Sequence, residues 1–196
     1  MNSVSTQPTI TASTGVRRAR YSFRPWYRWW LTILAFPVAG EIAYLVAGRV
    51  DSVSPAVLGG TIAGAGIGAA QWALLRHRSV SPTWILATAV GLAAGLAVGA
   101  AVVSYRTDIS SLALMGAITG LAVGTAQGAT LGNTKRMLLW SGATAALYAI
   151  GWSATTAGGI SVDKQFMVFG LYGAIASIVL QSTIIGAFIP AKAVQS

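Results

Sequence analysis

The segment GGTIAGAGIGAAQWALLRHR, residues 59–78, holds five glycines among Ala and Ile, then Gln71 and Trp72, then a basic cluster. In water each glycine disfavours a helix by about 1 kcal/mol. In lipid the balance differs. Apolar side chains gain nothing by leaving lipid for protein, so helices associate through close packing, and glycine lets two backbones approach. Gly60, Gly64 and Gly68, with Gln71 three residues further on, fall on one stripe of a helix. The segment therefore reads as a membrane helix with a groove along one face.

The rest of the chain agrees. Only 9% of its 196 residues are charged and its mean hydropathy is +0.67, whereas a soluble domain carries about 25% charged residues. After residue 28, apolar or small-residue runs follow one another, each long enough for a hydrocarbon core about 30 Å thick. The expected fold is all-α: a six-helix transmembrane bundle over 29–189, with spans near 29–48, 55–75, 83–104, 109–131, 137–157 and 165–189. Ser54-Pro55 and Ser81-Pro82 read as an N-cap followed by proline in the first turn. Asp108 and Asp163 are placed to cap the fourth and sixth helices, and Pro190 to end the last. Residues 1–28 read as a disordered basic-aromatic cytoplasmic tail and 190–196 as a short second tail. Residues 17–28 lack the short apolar stretch and small-residue cleavage site of an export signal.

Charge assigns orientation. Arg17, Arg18, Arg20, Arg24, Arg28, Arg76, Arg78, Lys135, Arg136 and Lys192 fall on one side with no acid. On the other, Arg49, Arg106 and Lys164 are each matched by Asp51, Asp108 and Asp163. The excess of Lys and Arg marks the cytoplasmic side, so both termini are expected there, in a bacterial cytoplasmic membrane. The net charge of +9 is then topology and contact with anionic lipid, not nucleic-acid binding. Arg24, Trp26, Arg28, Trp29, Trp30, Trp84 and Trp140 gather near that boundary and are expected to anchor the protein in the lipid interface.

The opening pattern repeats. Gly116, Gly120, Gly124 and Gln127 reproduce Gly60, Gly64, Gly68 and Gln71 at an offset of 56 residues, and Trp84 and Trp140 follow each glutamine by 13. A worn third copy ends at Gln181, with Gly170 and Ala174 in register and Ile178 where a glycine would stand. The chain thus reads as three tandem helical hairpins, about 29–75, 83–131 and 137–189, related by rotation about the membrane normal.

The intramembrane polar groups are few. Gln71, Gln127 and Gln181 are expected at similar depth, where amides need partners. They could cross-brace the bundle, line a solute path, or meet a partner subunit. Glu41 is the one acid within a span, and a charge at a helix centre costs on the order of 3 kcal/mol on insertion scales. It reads as a proton or cation site, a protonated structural group, or a contact to a partner chain, and burial is expected to favour its neutral form.

Catalytic and metal signatures are lacking. Cys is absent and His77 is the lone histidine; there is no zinc-protease helix motif, nucleophile elbow or P-loop. No catalytic residue, metal or cofactor is expected, although the glycine grooves leave room for a bound lipid or pigment. The run GIGAAQWALLR resembles a pattern in bacterial multi-pass membrane proteins built from repeated Gly-rich, Gln-Trp hairpins, over residues 55–157. That resemblance implies architecture, not activity. The three-hairpin plan is also similar to that of mitochondrial carriers, but their Pro-x-acid-x-x-base motif is missing. The function expected is a non-catalytic membrane subunit that packs within a larger complex or with copies of itself. The alternative is a small transporter or channel using Glu41 and the glutamine layer.

Overall fold

A computed structural model describes residues 27–78, 80–159 and 168–189 of the chain. All regular structure among these residues is helical: a single turn α1 (Tyr27–Trp30), then α2 (Thr32–Ala47), α3 (Val53–Leu75), α4 (Thr83–Val102), α5 (Ile109–Ala129), α6 (Thr134–Ala157) and α7 (Leu171–Phe188). Four of them, α3, α4, α5 and α7, are long and apolar enough to cross a membrane. Helix α2 is apolar but has 16 residues. Helix α6 has 24 residues and carries more hydroxyls. These are satisfied within the helix: Ser141, Thr144, Ser153, Thr155 and Thr156 each donate to the carbonyl four residues back, at 2.7–3.0 Å.

Helix starts follow local chemistry. Asp108 caps α5, accepting from the Ser111 N–H at 3.0 Å. Ser81 Oγ accepts from the Thr83 N–H at 3.3 Å, and Pro82 already has helical dihedrals. At Ser54-Pro55 the expectation fails by two residues, because α3 begins at Val53 behind Ser52. Proline is tolerated there because the first-turn N–H groups have no helical acceptor. Helix α7 begins at Leu171, later than the 165 expected. Asp163 and Pro190 lie outside the described residues.

The helices form a closed ring. Each packs on its neighbours in sequence, and α7 closes against α2. Three seams are glycine-lined and antiparallel. A Cβ on Gly60 or Gly64 would lie 2.7 Å from the Cα of Ala93 or Ala89 on α4, and on Gly68 it would lie 3.0 Å from that of Ile85. Gly116 abuts Tyr148 and Trp152 of α6, Gly120 abuts Thr144 and Ala145, Gly124 abuts Ser141, and Gly128 abuts Met137, so α5 and α6 run together from Gly116 to Gly128. Between α4 and α5 a further stripe, Gly91, Gly95 and Gly99, meets Val123, Thr119 and Met115. The grooves that left room for a lipid or pigment are therefore filled by neighbouring backbone.

The interior of the ring is aromatic. Trp84, Trp140, Trp152 and Phe169 are fully buried or nearly so. Phe36 stacks on Phe169 at 4.9 Å, bringing α2 onto the segment that precedes α7. At the opposite end Arg78 donates to the Ile189 carbonyl at 2.6 Å, which ties the α3–α4 turn to the end of α7.

Candidate functional site

The polar groups of the interior meet at one level. Gln71, Gln127 and Gln181 are all buried, none more than 6% exposed. Trp84 Nε1 donates to Gln71 Oε1 at 3.0 Å, and Trp140 Nε1 donates to Gln127 Oε1, also at 3.0 Å. In each case a glutamine late in one glycine-lined helix holds an indole at the start of the next. Gln127 Nε2 joins the two pairs, donating to Gln71 Oε1 at 3.1 Å and to Thr88 Oγ1 at 2.9 Å. Thr88 and Thr144 in turn donate to the carbonyls of Trp84 and Trp140 at 2.7 and 2.8 Å. The two indoles lie 6.1 Å apart, and Phe188 stands edge-on to Trp140 at 5.2 Å.

This network fixes register more than it stabilises. An interhelical hydrogen bond in a membrane contributes about 0.6 kcal/mol on average, with a maximum near 1.7. Leaving one of these groups unpaired costs about 1–3 kcal/mol. The arrangement therefore penalises any sliding of α3, α4, α5 and α6 that breaks it.

Gln181 shares the layer but not the bonds. It lines a cavity of about 10 Å³ together with Gln71, Gln127, Thr144, Tyr148 and Ser177, the space of about one water molecule. A second cavity of about 10 Å³, towards the α4–α5 turn, is walled by Leu96, Leu112, Met115, Trp152 and other mostly apolar groups. Among the described residues no cluster of three or more His, Asp or Glu could hold a metal.

Three of the tryptophans expected as lipid anchors, Trp29, Trp84 and Trp140, face inward. Trp84 and Trp140 are wholly buried and Trp29 is 6% exposed, whereas Trp30 is 51% exposed. The correction has a physical cause: the indole N–H groups of Trp84 and Trp140 find amide acceptors inside the ring, so the rings turn inward. Arg24, Trp26 and the side chain of Arg28 lie outside the described residues.

Glu41 stands apart from the interior layer. It is exposed on the outer face of α2, with Leu34, Val38, Ile42 and Leu45 exposed around it. It does not reach the glutamine layer, and among the described residues no ion pair joins it to Arg49. The glycines were legible from their spacing, but the stripe Gly91, Gly95, Gly99 was passed over although its period is the same. Thr88 and Thr144 were passed over too, although the 56-residue offset that pairs the glutamines also pairs them.

The chain matches no protein-family model, no curated protein and no solved structure.

Proposed function

We propose that the chain is a non-catalytic, six-span protein of a bacterial cytoplasmic membrane, with both termini cytoplasmic and three tandem hairpins, that packs through the outer face of α2 against another membrane subunit. Four helices are long and apolar enough to cross a membrane. Helix α6 runs beside α5 from Met137 to Trp152 and α2 lies between α3 and α7, which supports counting both as spans. The basic residues Arg76, Arg78, Lys135 and Arg136 all lie at the α3–α4 and α5–α6 turns, as the excess of positive charge on the cytoplasmic side requires. The resemblance to bacterial proteins with repeated Gly-rich, Gln-Trp hairpins fits this architecture.

The observation that carries the reading is Glu41. A carboxyl on a face made of Leu34, Val38, Ile42 and Leu45 would sit in lipid at a cost of about 3 kcal/mol if charged near the helix centre. A Lys, Arg or amide on a neighbouring subunit's helix offsets that cost. The transporter reading needs Glu41 and the glutamines on one path, but Glu41 faces out, while Gln71 and Gln127 face in and bond each other.

The test is co-purification in mild detergent with native mass spectrometry, for the parent, Glu41→Gln and Glu41→Leu. A partner subunit bound by the parent and lost in Glu41→Leu is expected. A parent that runs as a lone monomer overturns the proposal, as does solute or proton flux in liposomes of this protein alone that disappears in Glu41→Gln.

A further inference from the structure

Three tryptophans, three threonines and three glutamines recur in this ring: Trp29, Trp84 and Trp140; Thr32, Thr88 and Thr144; Gln71, Gln127 and Gln181. Thr32 precedes Thr88 by the same 56 residues, but Trp29 is one residue out of register: Thr32 Oγ1 donates to the Trp29 carbonyl three residues back at 2.6 Å, where Thr88 and Thr144 donate to those of Trp84 and Trp140 four residues back. Each Trp-Thr pair opens a helix or the turn before it, and each lies beside a glutamine-bearing helix. Helix α3 lies beside α4, α5 beside α6, and α7 beside α1 and α2. Two of the three units are linked by an indole-to-amide hydrogen bond. In the third, Trp29 Nε1 is the one buried side-chain polar atom among the described residues that has no hydrogen-bond partner. Gln181 is 6% exposed and lines the cavity with Gln71, Gln127 and Thr144. Among the described residues neither its amide nor Gln71 Nε2 makes a hydrogen bond.

We propose that Gln181 completes a cyclic hydrogen-bonded ring that latches α7 to α1 and α2. The bonds are those already formed in the other units. Gln181 Oε1 accepts from Trp29 Nε1 and Gln71 Nε2, as Gln71 Oε1 accepts from Trp84 and Gln127. Gln181 Nε2 donates to Gln127 Oε1 and Thr144 Oγ1, as Gln127 Nε2 donates to Gln71 Oε1 and Thr88 Oγ1. An amide has two donors and two acceptor lone pairs, so three glutamines linked in this way use every one of them on the axis once Gln71 also donates to Thr32. The structure shows the latch open.

A packing difference accounts for the open third unit. Gly68 and Gly124 stand three residues before Gln71 and Gln127, and each lets its helix lie against the backbone of the next, on Ile85 and Ser141. The residue three before Gln181 is Ile178, which is 1% exposed. It lines the cavity beside Gln181, where the other two units have a glycine. Closing the latch would pair the free polar groups that now face the cavity.

Thermal unfolding of the full chain in mild detergent tests this through a double-mutant cycle. Trp29→Phe, Gln181→Met and their double variant are compared with Trp84→Phe, Gln71→Met and their double variant, in which the bond is already formed. The latch predicts that the Tm loss of the Trp29→Phe/Gln181→Met double variant falls short of the sum of its single losses, as in the reference pair. Additive losses at Trp29 and Gln181 overturn it. Should Gln181→Met fail to fold, the indole N–H resonance of Trp29 in the parent, assigned by its loss in Trp29→Phe, decides instead. A downfield position with those of Trp84 and Trp140 supports the latch, and the position of an indole with no acceptor overturns it.

Discussion

Gly120→Ala and Gly142→Ala add the same methyl group to helices of the same bundle, and the structure separates their outcomes. A Cβ on Gly120 would fall 2.8 Å from the Cα of Ala145 and the Cβ of Tyr148, and against the Thr144 carbonyl. Carbon atoms rest at about 3.5–4.0 Å, so α5 and α6 would have to part by roughly 1 Å. The obstacle is mostly backbone, which cannot swing aside as a flexible side chain can. A Cβ on exposed Gly142 of α6 meets nothing within 4 Å. Replacing glycine with alanine inside a helix gains up to about 1 kcal/mol in either case, a value measured in water. Overpacking at Gly120 costs about 1–3 kcal/mol. The propensity gain is common to both, so the difference between the two variants isolates the seam and is expected to be about 1–3 kcal/mol. Unfolding with increasing SDS in mixed micelles, followed by tryptophan fluorescence, measures it. Equal stability of the two variants, or a greater loss in Gly142→Ala, would refute the close-packed α5–α6 seam.

Asp108 gives a pH prediction. The Ser110 and Ser111 hydroxyls and the Ser111 N–H hold its carboxyl well below the usual carboxylate range, with Arg106 adding to the effect. A depressed folded-state pKa contributes stability above the ordinary carboxylate pKa of about 4, and this is lost as pH falls below it. Tm should therefore fall more steeply below pH ~4 in the parent than in Asp108→Asn, which keeps a capping oxygen but no ionisable group; parallel profiles would contradict the assignment. Orientation is read by single cysteines in this Cys-free chain: an impermeant maleimide applied to intact cells should label Ser52→Cys and Thr107→Cys but spare Asn133→Cys, and the reverse pattern would invert the topology.

What the sequence disclosed was whatever depends on local chemistry and period. The glycine stripes of α3 and α5 could be read because a four-residue spacing in lipid has one physical use, and Asp108 because a cap acts within a single turn. The start of α3 was missed by two residues because proline suits several first-turn positions equally. Which way a side chain turns depends on neighbours that a single helix does not reveal. Trp84 and Trp140 lie near the starts of their helices, and nothing in those helices says that an amide on the preceding helix draws them inward. Glu41 was read by its depth in the span, but its outcome depends on rotation about the α2 axis. With apolar residues on every side, α2 offers no polar face to fix that rotation from sequence. The sequence marked Ile178 as the position where the third copy departs, but not that Gln181 stands without the bonds that Gln127 makes.

The ring also has an order in time. Every seam but one joins helices adjacent in the chain and can form as soon as the second of the pair is made. The contact of α2 with α7, and the stacking of Phe36 on Phe169, join the first helix to the last. Chains lengthen at roughly 5–20 residues per second, so α2 waits on the order of ten seconds with its inner face uncovered. During that interval Phe36, which stacks on Phe169, and Gly40, which meets Val168, are open to another helix. A helix from a second copy inserted there before α7 arrives would give a domain-swapped pair.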